Sequence, residues 1–183
     1  MRRRFGRLFR RAPERPNSFL GVVKHANQLM AATDYRGAAS VFEDLARQAK
    51  DLDGRRTPFL FLRAGEARLM SGEYTKCMAN FKYGLIQLAD SQRYTQFYRM
   101  GTRIIQELNA RKLEKEAQEI NMLIHGHTTA IAEMSTQQLP HEKTLPPTHC
   151  PSCSGPLRAD EVDWIDDLTA ECPYCGSPVR AGL

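Results

Sequence analysis

The sequence lacks the features that mark several common functional classes. Its 183 residues contain no run of about 18 apolar residues, so no membrane-spanning helix is predicted. It has no Gly-rich phosphate loop, no convincing carboxylate pair and no Ser/His/Asp arrangement, which argues against an enzyme. The basic N-terminus is not followed by an apolar secretory segment. We therefore expect a non-catalytic protein of the cytoplasm.

Cysteine is scarce except near the C-terminus. Four of the five cysteines form two Cys-x2-Cys pairs, Cys150/Cys153 and Cys172/Cys175, and the fifth, Cys77, suits a small core position. Eighteen residues separate the pairs, which is enough for a short β-hairpin that brings them together. Four thiolates complete a tetrahedral zinc site and leave no position for water or substrate. The spacing predicts one structural Zn²⁺.

The second pair resembles a zinc-ribbon knuckle, because Cys172-Pro-Tyr-Cys175 is followed by Gly176. The first pair departs slightly, with Ser154 where glycine is usual. The resemblance covers residues 148–180, and the sequence between the pairs suits a hairpin that turns near Asp166–Asp167. Disulfides, an iron–sulfur cluster and a redox pair are less favoured alternatives. Trp164, the only tryptophan, either covers the hairpin or anchors a partner.

Apolar residues recur at helical spacing through residues 17–133, where six helices of about 14–20 residues are predicted. An Arg-rich arm, residues 1–16, precedes them, and a polar linker, residues 134–149, follows them. The zinc-ribbon segment, residues 150–183, is too small to fold by apolar burial alone. We therefore expect chelation to unfold residues 150–180 and to spare the helices.

One sequence pattern recurs within the helical range at an offset of 39 residues: Tyr35, Ala38 and Phe42, then Tyr74, Cys77 and Phe81. With Gly65 before it and Gly72 in the turn, the second copy makes residues 58–91 resemble a tetratricopeptide repeat. Residues 19–50 form a looser copy and residues 95–126 a degenerate one, whose turn around Asn109–Lys112 is expected to be longer.

This resemblance implies a mainly α fold: an antiparallel helical-hairpin solenoid, with the four-cysteine zinc-ribbon hairpin as a small second module. It also implies a concave groove, lined mainly by the first helix of each hairpin, that binds a protein segment. The repeat alignment gives the candidate groove residues as Asn27, Met30, Leu62, Glu66, Leu69, Tyr98 and Thr102.

Charge is unevenly distributed. The arm carries a formal charge of +6, whereas the zinc-ribbon segment carries −4, which would repel nucleic-acid phosphates. Phe5, Leu8 and Phe9 are spaced so that the arm could lie on an anionic membrane as a short helix. Its arginines could instead contact nucleic acid, or the arm could be a solubilising tail.

The leading hypothesis is a protein–protein interaction scaffold or adaptor with a structural zinc site. The groove and the zinc ribbon would bind a partner as two sites joined by a linker of about 16 residues. The alternative is a nucleic-acid-associated regulatory protein of transcription or translation that uses the basic arm and the ribbon.

Overall fold

The structure is a computed structural model that describes residues 18–49, 54–127, 145–159 and 161–181. The predicted arm and most of the predicted linker lie outside these ranges. The described residues form six helices: α1 Phe19–Ala31, α2 Tyr35–Ala49, α3 Thr57–Met70, α4 Tyr74–Asp90, α5 Tyr94–Ala110 and α6 Glu114–His125. Six helices are thus confirmed, although they have 12–17 residues and some are shorter than predicted.

Each helix packs against the next one along the chain, and α4 also contacts α6. Four of the five connections are three-residue turns, in which one residue has a positive φ between 59° and 77°: Thr33, Gly72, Gln92 and Lys112. In each turn a backbone N–H closes onto a carbonyl five residues earlier, as in the bond from Glu73 N–H to Arg68 O at 2.9 Å. This hydrogen bond ends the helix and reverses the chain.

The expectation of a longer turn around Asn109–Lys112 is wrong. The connection between α5 and α6 has the same three-residue form, with hydrogen bonds from Lys112 N–H to Asn109 O and from Leu113 N–H to Leu108 O. Lys112 itself adopts the left-handed conformation, so the turn forms without glycine.

Close contacts between helices depend on small residues. A Cβ atom on Gly65 of α3 would lie 2.4 Å from Cδ1 of Phe81 on α4, and one on Gly101 of α5 would lie 2.5 Å from Cδ1 of Ile124 on α6. Phe42 and Phe81 are fully buried, as their repeat positions predict. Among the described residues, no helix is both long and apolar enough to cross a membrane.

A small antiparallel sheet follows, with strands β1 Asp163–Trp164, β2 Thr169–Glu171 and β3 Pro178–Arg180 in the order β1-β2-β3. β1 and β2 form the predicted hairpin, and the Leu168 N–H donates to Asp166 Oδ1 in its turn. The third strand was not predicted. We call the described residues 145–159 and 161–181 the cysteine module.

Candidate metal centre and its docking on the helices

Each Cys-x2-Cys pair lies in a tight turn, here called the first knuckle (residues 150–155) and the second knuckle (residues 172–177). The Ser154 N–H donates to the carbonyl of the first cysteine in its knuckle at 2.8 Å, and the Gly176 N–H does the same in its own knuckle at 2.9 Å. Ser154 has a φ of 61° and Gly176 a φ of 72°. The serine therefore adopts the conformation for which glycine is usual, and the two knuckles share one geometry.

The two knuckles bring the four sulfurs together. Cys150 Sγ lies 3.8 Å from Cys175 Sγ, Cys153 Sγ lies 3.8 Å from Cys172 Sγ, and all four lie within 4.8 Å of one another. A tetrahedron with metal–sulfur bonds of about 2.3 Å has edges of roughly 3.8 Å, whereas a disulfide bond is about 2.05 Å long. The four free thiols are therefore too far apart to be disulfides, and they lie close enough together to hold one tetrahedral metal ion.

The electrostatics of the cluster also favour a cation. The thiols of Cys153 and Cys172 donate hydrogen bonds that lower the pKa of Cys175. The neighbouring Cys153 and then Cys175 raise the pKa of Cys172, so thiols this close do not ionise together without a positive charge between them. A bound dication would supply that charge, and four thiolates would fill its coordination sphere.

Backbone donors surround the sulfurs, as the knuckle resemblance implies. The N–H of Gly155 donates to Cys153, and the N–H of Ser177 donates to Cys175. Both hydrogen bonds favour the thiolate form of the cysteine that accepts them.

The cysteine module is docked on the helices rather than held beside them by the linker alone. The carboxylate of Asp163 in β1 accepts hydrogen bonds from Arg93 at 2.8 Å, Gln96 at 3.0 Å and Arg55 at 3.2 Å. Three side chains from the helical region thus converge on one carboxylate of the module.

Two further carboxylates of the module pair with helical arginines. Glu161 is only 3% exposed and forms an ion pair with Arg103 of α5. Glu171 of β2 lies 3.4 Å from Arg56 and 3.7 Å from Arg55. A buried carboxylate such as Glu161 is costly unless it is paired, so these contacts fix where the module can sit.

The knuckles also contact the helices directly. Asn27 of α1 donates a hydrogen bond to the Cys153 carbonyl at 3.1 Å. Tyr174 of the second knuckle is buried. This burial and the nearby Glu66 carboxylate raise the pKa of the Tyr174 hydroxyl, and the positive charge of Arg63 offsets part of that increase. The metal centre and the helices therefore share one interface.

A cleft of about 650 Å³ lies where α1, α3 and α5 meet the first knuckle. Five of the seven candidate groove residues line it: Asn27, Met30, Leu62, Glu66 and Leu69. Of these, Leu62 and Leu69 are almost fully buried in the helical core. Tyr98 and Thr102 are not among the described residues that line the cleft, and Tyr98 is instead exposed on α5.

Two other residues singled out from the sequence occupy packed positions. Trp164 is half-buried against the core, and its Nε1–H donates to the Ala159 carbonyl at 3.3 Å. Cys77 lies in the helical core, where burial raises the pKa of its thiol to about 12.

Sequence reasoning missed the docking interface. It treated the acidic residues of the zinc-ribbon segment as a repulsive surface, whereas Glu161, Asp163 and Glu171 face arginines of the helices. The sequence signal that could have indicated this interface is the opposite charge of the arginines that precede or lie on α3 and α5.

The chain matches no family model, no curated protein and no solved structure, so its function is inferred from its residues and their geometry.

Proposed function

We propose that the protein is a non-catalytic interaction scaffold: a tetratricopeptide-like helical solenoid whose cleft binds a segment of a partner protein. A structural Zn²⁺ in a zinc ribbon holds one wall of that cleft. The cleft between the helices and the first knuckle is the observation that carries the proposal. Its volume suits a few side chains of an inserted segment.

The lining of the cleft supports a protein ligand with a large apolar side chain. Met30, Met70 and Met100 approach it from α1, α3 and α5, beside Ile104. Methionine side chains are flexible and polarisable, so they adapt to apolar groups of different shape. Arg63 and Arg158 add polar groups at the sides that can orient a backbone or a polar neighbour of the anchor.

The repeat geometry supports the solenoid. Thr33 and Gly72, which are 39 residues apart, occupy equivalent turns, and Ala38 and Cys77 are buried at equivalent positions of α2 and α4. In the tetratricopeptide family such hairpins stack into a concave binding surface.

Zinc is the metal that fits four cysteines best. Four thiolates at tetrahedral spacing suit Zn²⁺, and their closed coordination gives the ion a structural role. The nucleic-acid alternative depends largely on the arm, which lies outside the described residues, and a cytoplasmic location stays a prediction.

A displayed library of random peptides tests the cleft. The zinc-loaded full chain should enrich peptides with a large apolar residue, and Met70→Glu should abolish that enrichment, because it places a charge in the lining. Met122→Glu is the matched control, since Met122 is 60% exposed on α6 and is not among the cleft residues. Failure of the wild-type chain to enrich any apolar motif, or equal losses in both variants, would contradict the proposal.

A further inference from the structure

A row of arginines lies under the cysteine module. Arg55 and Arg56 precede α3, Arg93 precedes α5, and Arg103 lies within α5. Each forms an ion pair with a carboxylate of the module, so we call these four residues the arginine face. Most of this face is separate from the cleft, because only Arg103 belongs to both.

The arginine face is organised for carboxylates by the helices themselves. The Arg93 guanidinium stacks over the Phe59 ring, with 4.7 Å from its Cζ to the ring centroid, and its Nη1 donates to the Arg55 carbonyl at 3.0 Å. These two contacts come from α3 and the turn before it, and they leave Nη2 to meet Asp163. A guanidinium held in one orientation loses little freedom when a carboxylate binds.

The helix ends add to the positive potential. Arg56 and Arg93 occupy the N-cap positions of α3 and α5, where backbone N–H groups and the helix dipole favour negative charge. Four arginines close to two such ends repel one another unless acidic groups lie between them. The carboxylates of Glu161, Asp163 and Glu171 in the module reduce this repulsion, because each pairs with at least one of these arginines.

The module occupies the arginine face only while it is folded. Its three carboxylates come from β1, β2 and the residues just before β1, and a segment this small depends on its metal for its fold. We propose that the arginine face is a binding site for acidic protein segments, which the cysteine module fills in cis while its four cysteines hold a metal ion.

Competition with the module sets the affinity for any outside segment. The module belongs to the same chain as the helices, so it competes with an outside segment at an effective concentration on the order of millimolar. An acidic segment therefore binds well only when the module undocks. Loss of the metal undocks it, and so does loss of the module's own carboxylates.

The test releases the module without removing its metal. In the zinc-loaded full chain, the double substitution Glu161→Gln and Asp163→Asn removes two carboxylates that face the arginines. A labelled glutamate-rich peptide is the probe, and its glutamine counterpart is the control. Fluorescence anisotropy at low salt should show the acidic peptide binding the variant about tenfold more tightly than the wild type.

Four further measurements decide the outcome. Adding Arg93→Gln to the double variant should remove the gain in affinity. Raising the salt concentration should weaken the binding of the acidic peptide to the double variant. Glu119→Gln, which removes a carboxylate paired with Lys82 on α4, should leave the affinity at the wild-type level. NMR relaxation should show the module of the double variant tumbling faster than its helices, with metal content unchanged.

Some results would overturn the proposal. Equal affinity of the acidic peptide for the wild type and the double variant would show that the arginine face takes no outside carboxylates. Equal binding of the glutamine peptide would show that charge is not what is recognised. A module that tumbles with the helices in the double variant would show that these carboxylates do not hold it in place.

Discussion

Gly65 sets the distance between α3 and α4, because its missing Cβ leaves room for the ring of Phe81. Gly65→Ala should destabilise the helices by roughly 1–3 kcal/mol, since the added methyl group would overlap a buried ring that has little space to move. Urea unfolding followed by circular dichroism measures this change.

Gly54→Ala is the control for that substitution, because a Cβ at Gly54 meets nothing within 4 Å. Its free energy of unfolding should stay close to the wild-type value. Equal effects of the two substitutions would show that packing against Phe81 does not set the spacing of these helices.

At the scale of single residues, the sequence reveals the metal ligands but not their surroundings. The four cysteines are recognisable as metal ligands because each pair has the Cys-x2-Cys spacing that is typical of a tetrahedral metal site. The hydrogen bond from Asn27 to the Cys153 carbonyl joins residues 126 positions apart, and no periodic pattern encodes such a pair. Tyr174 likewise has an ordinary sequence context, yet it is buried, with Glu66 and Arg63 of α3 close enough to affect the pKa of its hydroxyl.

Among the elements, the three-residue turns show how the repeat tolerates different residues at one backbone position. Thr33 and Gly72 are equivalent, with φ values of 61° and 77°, and a β-branched residue is strained in this conformation. Thr33→Gly should therefore stabilise the protein by up to about 1 kcal/mol, the gain being limited by the greater freedom of glycine in the unfolded chain.

The reciprocal substitution Gly72→Thr tests the same strain. A Cβ at Gly72 meets nothing within 4 Å, so the backbone conformation alone should destabilise this variant. Thermal melts of both variants at one pH give the comparison. A destabilised Thr33→Gly variant would mean that the threonine side chain contributes more than its backbone strain costs.

The helices are predictable as elements because their apolar spacing repeats. The β1–β2 hairpin is predictable because Val162 and Trp164 alternate with polar residues before the turn residues Asp166 and Asp167. The form of the turn after α5 is not evident from the sequence, because glycine is the usual marker of such a turn and Lys112 adopts a positive φ in its place. β3 has only three residues and is a strand because it pairs with β2, so its own sequence gives little indication of a strand.

On the scale of the whole molecule, docking changes what metal removal should do. Chelation should still unfold the cysteine module, but it should also lower the stability of the helices by about 1–3 kcal/mol, because the ion pairs of the arginine face and the Asn27 contact are lost. Thermal melts with and without chelator, followed by circular dichroism, measure the helical transition.

Two cysteine variants separate metal loss from damage to the core. Cys172→Ser should reproduce the effect of the chelator and reduce the metal content to near zero. Cys77→Ala, at a buried thiol outside the cluster, should keep one metal ion per chain. Complete loss of the helical transition on chelation, or a transition that does not move at all, would contradict this coupling.

The hydrogen bond between Asn27 and the Cys153 carbonyl joins residues far apart in the sequence, and this separation has a consequence for the order in which the parts of the protein fold. The helical hairpins close through short turns, so we expect them to form early, even while the chain is still emerging from the ribosome. Docking of the cysteine module must wait until the chain has been made as far as β3, at Pro178–Arg180, and a metal ion is captured. Newly made molecules should therefore pass through a stage in which the helices are complete and the arginine face is open.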